Sequence, residues 1–392
     1  MRKVKDMIVC VVVLAVAAVG IFLLSKLDSK SDYDTDNVYV PSTSTTDGTK
    51  PNQNKADSVE KVALPDTIYG IVGKPIIIRY LNITGYNSLD EISVVVDAAG
   101  KGVTYDDRWE YTPTEAGDTV VSFTVSDKQG VVINKSTHTL RIADSQKSKE
   151  VSVLVIGDGT IAVGYETKQM LDMAELDGNK LTLLGTGTAN HGNDDNNRFE
   201  GRSGWRASTY VSNMNGSDSD VTNPFYNPEA KRFDFSYYML NQGYSSVDVV
   251  FIQLGISEIF GEPTDEMLYS ENYMHKYFRY MDKIIESIHV YDPNIKIVWN
   301  LILPGSTEEE KFEMAYGKSQ TAAQYKRNTY LTNLEIVNNK SNTTNVYLAP
   351  TNAPLDTVHD MQEGIGGGVH PGAKGCQDIG AALYGMIMAI VE

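Results

Sequence analysis

The chain has 392 residues, with 51 Asp and Glu against 34 Lys and Arg and a formal net charge of −17 at pH 7. This length allows about two domains of ordinary size, and the acidic balance argues against nucleic acid as a partner, because binding to phosphates depends on basic side chains. The two cysteines, Cys10 and Cys376, lie near opposite ends of the chain, so the sequence predicts neither a disulfide nor a cysteine metal site.

The N-terminal segment is apolar over residues 7–24 and follows a basic tip. A bilayer core requires about 20 such residues, and basic flanks remain in the cytoplasm. We therefore expect residues 1–26 to form a cytoplasmic tip and a transmembrane signal-anchor. The remaining chain would then be extracytoplasmic, on a single-pass protein of the cell membrane. A cleaved signal peptide is the alternative, although the apolar run continues past the small residues Ala15-Val16-Ala17.

Residues 27–61 are dense in Ser, Thr, Asp, Asn and Lys, a composition that predicts a disordered stalk. Residues 62–145 contain short β-rich runs separated by turn residues, which predict a small all-β sandwich. The segment from Trp109 to Asp118 resembles the Ig-like modules that often precede catalytic domains in secreted bacterial enzymes. The predicted strands are Ile68–Val72, Ile76–Tyr80, Ile92–Val96, Trp109–Thr112, Thr119–Val125, Val131–Ile133 and His138–Ile142.

The pattern changes over residues 150–392, where apolar β-runs alternate with stretches at helical spacing. Such alternation predicts a parallel sheet covered by helices on both faces. Ligands of these sheets bind beyond the carboxyl ends of the strands, so we expect the chemistry at turns 157–160, 255–258 and 304–305. The predicted strands are 151–156, 180–184, 247–254, 296–303 and 346–349, and the predicted helices are 165–176, 273–289, 322–338 and 377–391.

Four short motifs in this region occur in an informative order. They are Ile156-Gly-Asp-Gly-Thr160, Phe199-Glu-Gly-Arg-Ser-Gly-Trp205, the segment Val250–Gly261 and Gly368-Val-His-Pro-Gly372. Together they resemble the conserved blocks of the SGNH (GDSL) hydrolases over residues 150–392. The resemblance implies a flavodoxin-like three-layer α/β/α domain that hydrolyses acyl esters, often acetyl groups on carbohydrates. We expect no cofactor.

The catalytic positions implied by this resemblance are incomplete. In the family, a Ser in the first block attacks the ester, a His removes its proton and an Asp three residues before the His orients the imidazole. His370 retains the position of the base. Gly159 stands at the position of the nucleophile, and Gly367 stands at the position of the Asp.

The remaining site positions are also carried over from the resemblance. The family stabilises the oxyanion with a backbone N–H of the second block and an Asn of the third. Gly201 occupies the first of these positions, with Gly204 as the alternative, and Ser257 replaces the Asn. The binding surroundings carried over from these blocks comprise Asp158, Trp205 and Glu258.

These replacements lead to three hypotheses. The first is a non-catalytic homologue that binds a glycan or an acylated carbohydrate. The second is an active esterase with a rearranged site, in which Thr160 or Ser257 supplies the hydroxyl, although we expect the Thr160 side chain to point away from His370. The third is a cell-surface scaffold that projects the domain towards a partner protein.

Other residues admit a structural and a functional interpretation. The run His191–Asn197 is interpreted as a solvated loop rather than a Ca²⁺ site, and the histidine spacing predicts no metal site. Trp205 and Tyr210 are candidates for sugar stacking, whereas core packing is favoured for Tyr237-Tyr238. The glycines of segment 364–368 predict a mobile wall beside His370.

Overall fold

The computed structural model describes residues 61–391, except 146, 189–193, 213–221, 262, 341–342 and 363–366. The predicted signal-anchor and nearly all of the predicted stalk lie outside these residues. Within the described part of the chain, no helix combines the length and the apolar character needed to cross a membrane.

The first part of the described chain is an all-β module of two sheets. One sheet has the strand order β1-β7-β6-β3 and the other the order β2-β5-β4. Trp109, Phe123 and Leu140 are buried in its core. Its likeness to Ig-like modules remains a prediction. The strands are β1 Thr67–Ile71, β2 Ile76–Arg79, β3 Ile92–Asp97, β4 Val103–Thr104, β5 Arg108–Tyr111, β6 Gly117–Asp127 and β7 Val132–Ala143.

The last strand of the module corrects the sequence analysis. The two strands predicted at 131–133 and 138–142 are one continuous strand, β7. Its inner face carries the polar residues Asn134 and His138, both buried, which interrupt the apolar alternation. His138 is satisfied by a 2.8 Å contact between its Nδ1 atom and the Pro65 carbonyl oxygen. Burial lowers the pKa of His138.

The second part of the chain alternates strands and helices. Its strands are β8 Glu150–Gly157, β9 Lys180–Leu184, β10 Gly187–Thr188, β11 Arg198–Gly201, β12 Tyr226–Asn227, β13 Arg232–Phe233, β14 Val249–Gln253, β15 Lys296–Asn300 and β16 Val346–Ala349. Its helices are α1 Gly159–Ala162, α2 Tyr165–Leu176, α3 Ala207–Val211, α4 Phe235–Gln242, α5 Asp265–Leu268, α6 Met274–Tyr291, α7 Glu309–Tyr316, α8 Ala322–Lys340 and α9 Ala373–Ile390.

The main sheet has the topology that the alternation predicts. Five parallel strands run in the order β9-β8-β14-β15-β16, which is the flavodoxin-like order 2-1-3-4-5 when these strands are numbered along the chain. The short strand β11 also pairs in parallel with the end of β8, and β10 pairs antiparallel with β11. From β8 the chain continues to β9 on one side, and from β14 it continues to β15 on the other side. Because such connections are right-handed, their helices lie on opposite faces of the sheet. The carboxyl ends of β8 and β14 therefore form the switch point, where ligands bind in such sheets.

Candidate functional site

The first motif forms the turn between β8 and α1. The Asp158 carboxylate caps α1 by accepting the backbone N–H of Thr160 at 2.9 Å. Gly157 allows the tight approach of this helix, because a Cβ there would lie 2.4 Å from Cγ1 of Ile161. Asp158 is thus a buried helix cap in this structure, with only 3% of its surface exposed.

Gly159 leaves space for a methyl-sized group between Ser203 and His370, and this space is called the hollow here. A Cβ atom on Gly159 would lie 3.4 Å from Oγ of Ser203 and 3.9 Å from Cε1 of His370. These are ordinary contact distances, so the hollow has room for a small side chain. The fold therefore brings the first, second and fourth motifs together, and it places His370 opposite the position that lacks a nucleophile.

His370 lies in the loop between β16 and α9. Its carbonyl accepts the N–H of Gln362 at 3.0 Å, and Met361 forms a bridge with Pro371. Burial lowers the pKa of His370 to about 4, so the imidazole is neutral at pH 7. Gly367, at the expected Asp position, offers this ring no carboxylate.

The position of Thr160 differs from the prediction. Its Oγ1 atom lies 3.5 Å from Nδ1 of His370, so the side chain faces the imidazole instead of pointing away. The reason is that α1 begins directly after Asp158, and its first turn directs residue 160 inwards. A hydroxyl therefore faces the ring nitrogen that the Asp of a catalytic triad contacts in serine hydrolases.

The second motif contains the two candidate oxyanion glycines. Gly201 packs beneath α1, since a Cβ there would lie 2.7 Å from both the Ala162 nitrogen and Ile161 Cγ2. Gly204 has a φ of 73° in a turn closed by the Trp205 N–H and the Arg202 carbonyl at 3.2 Å. Its amide directly follows Ser203, which borders the hollow. The oxyanion role of Gly201, with Gly204 as the alternative, stays a prediction.

The third motif follows β14. Gly255 has a φ of 129° and starts the turn that contains Ser257, which is half-buried. The carboxylate of Glu258 accepts the N–H of Ala207 at 2.7 Å, so it ties the start of α3 to this turn. Burial raises the pKa of Glu258.

The predicted stacking residues are in the core. Trp205 is 2% exposed and packs against Tyr210 at 4.8 Å between ring centroids. The Tyr210 hydroxyl donates to the Gly157 carbonyl at 2.8 Å, and Tyr238 is fully buried. The core interpretation therefore holds for these three rings, and Trp205 presents no open face to a ligand here.

A different aromatic pair borders the His370 loop. The Tyr316 ring packs on Gly368, where a Cβ would lie 2.5 Å from Cε2 of the ring, and a hydrogen bond with the Val369 backbone partly offsets the rise in the Tyr316 pKa that burial causes. Phe260 packs edge-on against Tyr316 at 4.8 Å between centroids. Sequence reasoning missed this pair because it did not identify α7, which carries Tyr316.

Two buried acids near the turn between β8 and α1 have raised pKa values, and one of them, Glu166, was missed by the sequence analysis. Burial and the nearby Glu258 carboxylate raise the pKa of Asp158 to about 7. Burial raises the pKa of Glu166 to about 8, and its carboxylate accepts Nε2 of Gln253 at 2.9 Å. The helical spacing of the sequence could have indicated that Glu166 is buried, because it lies four residues before Met170 on the same buried face of α2.

Within the described residues, no three His, Cys, Asp or Glu side chains lie close enough to hold a metal ion. The segment His191–Asn197 and the glycine segment 364–368 lie only partly inside the described residues, so the predictions made for them remain open. Cys376 is free and buried, in the first turn of α9.

Comparison with known proteins gives matches only among solved structures, since no family model and no curated protein matches the chain. A family 3 carbohydrate esterase from Clostridium thermocellum is 16% identical, with a TM-score of 0.40, and the match covers 62% of this chain and 98% of that one. A family 2 carbohydrate esterase with a carbohydrate-binding domain from Corynascus thermopiles (Myceliophthora fergusii) is 15% identical, with a TM-score of 0.37 and coverages of 83% and 92%.

A protein assigned as a GDSL-like lipase from Parabacteroides merdae is 13% identical, with a TM-score of 0.35 and coverages of 64% and 100%. Identities and TM-scores at this level carry nothing about activity, substrate or site residues. The printed names of these structures agree with the resemblance to SGNH (GDSL) hydrolases, which itself rests on the four sequence motifs.

Proposed function

We propose that this chain is a non-catalytic binding protein built on an SGNH-type domain, and that its ligand is a glycan or an acylated carbohydrate. The observation that carries the proposal is the hollow at Gly159, which faces a neutral His370 but contains no side chain. Ester hydrolysis by this mechanism needs a nucleophile within hydrogen-bond reach of the base, and glycine supplies none.

The hollow offers groups that bind an intact ester. The Ser203 hydroxyl borders one side and is exposed, and the neutral imidazole of His370 borders the other. A hydroxyl both donates and accepts hydrogen bonds, and a neutral imidazole has one donor and one acceptor nitrogen. In the proposed complex, the acyl group occupies the space of the missing side chain. The carbohydrate class of ligand comes from the sequence resemblance.

Location is the second part of the proposal. The apolar segment 7–24, with its basic N-terminal flank, is proposed to anchor the chain in the cell membrane and to leave the domains extracytoplasmic. Protease protection in intact cells tests the orientation, since an added protease should remove the α/β domain from whole cells. Resistance until the cells are lysed would contradict the proposed orientation.

The binding proposal is tested with the full chain in detergent. We expect acetylated oligosaccharides to bind by calorimetry, and we expect hydrolysis of these compounds and of aryl acetates to equal that of the His370→Ala variant and of buffer. Gly159→Leu should abolish binding by filling the hollow, whereas Gly385→Ala, at a position of α9 that faces Ile71 and Lys74, should leave it unchanged. Turnover that requires His370, or the absence of any binding, would overturn the proposal.

A second candidate function is an esterase with a rearranged site. The contacts of two hydroxyls favour it, namely Thr160 Oγ1 at 3.5 Å from His370 Nδ1 and Ser203 Oγ at 3.4 Å from the Cβ position of Gly159. A fluorophosphonate probe should label the protein if either hydroxyl is activated. Ser203→Ala and Thr160→Val then identify which of them reacts. Absence of labelling in the wild type would exclude this candidate.

A further inference from the structure

We infer that the β module supports the ligand site from outside, because Asn82 and Arg79 of the module position the loop that carries His370. The inference rests on the proposed function only in treating His370 as a group of the ligand site. The His370 loop is defined here as residues 350–372, between β16 and α9, of which 350–362 and 367–372 are described.

Asn82 makes the most buried link between the module and this loop. Its Nδ2 atom donates to the carbonyl oxygens of Asn352 at 2.9 Å and Leu355 at 2.7 Å. The Asn352 amide reciprocates by donating to the Ala63 and Asn82 carbonyl oxygens, both at 3.1 Å. Both side chains are buried, so the loss of one partner would leave buried polar groups unsatisfied.

Arg79 makes a second, ionic link. Its Nε atom donates to the Pro354 carbonyl oxygen at 3.2 Å, and its guanidinium pairs with Asp356 at 3.1 Å. The Asp356 carboxylate also accepts the backbone N–H of Val358 at 3.0 Å and of His359 at 3.1 Å. The side chain of Arg79 thus fixes both the path of the loop and the turn that follows it.

The tethered part of the loop packs directly against the neighbours of His370. Leu355 is fully buried and reaches α9, where a Cβ on Gly375 would lie 2.6 Å from Leu355 Cδ1 and 3.0 Å from Pro371 Cβ. Leu355 and Pro371 therefore share one small space. A shift of Leu355 changes the room available to the residue next to His370.

Backbone hydrogen bonds complete the connection. The Asp360 carbonyl accepts the N–H of Gly372 at 2.7 Å, and the His370 carbonyl accepts the N–H of Gln362 at 3.0 Å. These bonds tie the outgoing part of the loop to its return part on both sides of Pro371. Asn82 and Arg79 consequently act on His370 through the loop, which makes them positioning residues.

The test uses a readout that needs no ligand. The pKa of the His370 imidazole is measured by NMR in the full chain, with the His370→Ala spectrum as the assignment. We expect Asn82→Ala to shift this pKa from about 4 towards 6.5, because a looser loop admits water to the ring. Arg79→Lys should shift the His370 pKa in the same direction by a smaller amount. Lysine keeps the positive charge, but it lacks the several N–H donors of the planar guanidinium.

Asn134→Ala is the matched control. It removes another hydrogen bond across the same boundary, from Asn134 Nδ2 to the Tyr330 hydroxyl at 2.9 Å, but this bond involves α8 and not the His370 loop. We expect the control to leave the His370 pKa at its wild-type value. Equal pKa values in wild type, Asn82→Ala and Arg79→Lys would overturn the inference, as would an equal shift in Asn134→Ala.

The two proposals fail in distinguishable ways. A selective pKa shift in Asn82→Ala, with no binding of acetylated oligosaccharides by the wild type, supports the positioning role and contradicts the proposed function. If the wild type binds acetylated oligosaccharides but neither Asn82→Ala nor Arg79→Lys shifts the His370 pKa, the proposed function is supported and the positioning role is contradicted. If Asn82→Ala does not fold, the comparison of Arg79→Lys with Asn134→Ala decides the positioning role.

Discussion

Cε1 of His370 lies 3.9 Å from the point that a Cβ atom on Gly159 would occupy. The backbone of Gly159 is outside the left-handed region, so we expect Gly159→Ser to fold normally and to place a hydroxyl beside the imidazole. The variant should hydrolyse aryl acetates slowly, because loss of the triad carboxylate costs about 10⁴-fold in a serine protease and position 367 has none.

The matched control for this gain of activity is Gly159→Ala, which adds the same Cβ atom without a hydroxyl. Initial rates of p-nitrophenyl acetate hydrolysis by Gly159→Ser should exceed those of Gly159→Ala and should return to them in Gly159→Ser/His370→Ala. Equal rates for Gly159→Ser and Gly159→Ala would mean that His370 does not activate a hydroxyl at this position.

The central strands of the parallel sheet were predictable from sequence because β8, β14, β15 and β16 are largely buried, whereas β9 is mostly exposed or half-buried. Buried strands read as continuous apolar runs, and β8, β9, β14 and β16 fall close to their predicted ranges. The predicted strand 296–303 is shorter in the structure, since β15 ends at Asn300. The buried residues that follow it belong to the loop at the carboxyl edge of the sheet.

The site was predictable only where a motif carries it. The motifs predicted that Gly159 and His370 lie at the same edge of the sheet. Ser203 is also in a motif, but the resemblance gave it no role, so its position beside Gly159 was not predicted. The role of Asn82 was invisible for a related reason. Its partners are backbone carbonyls of a loop that is distant in sequence. Every residue has a backbone carbonyl, so the amino-acid sequence does not indicate which of them accept this hydrogen bond.

The buried Glu166 predicts a dependence of stability on pH. Its pKa rises from 4.5 to about 8 on folding, so the folded protein holds a proton that the unfolded chain has lost between these values. Stability should therefore fall as pH rises through this window. Glu166→Gln keeps a side-chain oxygen for Gln253 and removes the titration.

We expect the free energy of unfolding of Glu166→Gln to exceed that of wild type by an amount that grows from pH 5 to pH 8. Urea unfolding at both values measures it, and Glu175→Gln, at an exposed position of α2, is the control. An advantage that is the same at both pH values would show that Glu166 does not ionise in this range.

The contact between α2 and α9 depends on Gly380. A Cβ on Gly380 would lie 2.4 Å from the Glu166 carbonyl oxygen and 3.0 Å from Cβ of Gln169, and the helix backbone cannot yield as a flexible side chain can. Gly380→Ala should destabilise the fold by about 1–3 kcal/mol, the usual cost of overpacking. Thermal unfolding measures the change.

A second glycine of α9 provides the control. A Cβ on Gly385 would meet its nearest atoms, in Ile71 and Lys74, at 4.0 Å, which is ordinary contact. Gly385→Ala should therefore stabilise the protein by about 0.5–1 kcal/mol, because alanine favours helix over glycine. If both variants change stability equally, the close approach at Gly380 does not limit the packing of α9 on α2.

Lys326 on α8 carries a buried ammonium group. Only 7% of its surface is exposed, and Nζ has no hydrogen-bond partner among the described residues. Burial lowers its pKa from 10.5 to about 7, although the Glu91 carboxylate opposes this shift. The folded chain thus loses this proton more readily than the unfolded chain, so stability should fall as pH decreases from 10.5 through 7.

Lys326→Met keeps the apolar stem and removes the charge, so we expect it to raise the free energy of unfolding. The gain should be larger at pH 6, where the buried amine is charged, than at pH 9, where it is neutral. Lys128→Met, in the exposed turn between β6 and β7, should show no such difference in urea unfolding. A gain in Lys326→Met that is independent of pH would mean that packing, rather than burial of charge, limits stability at this position.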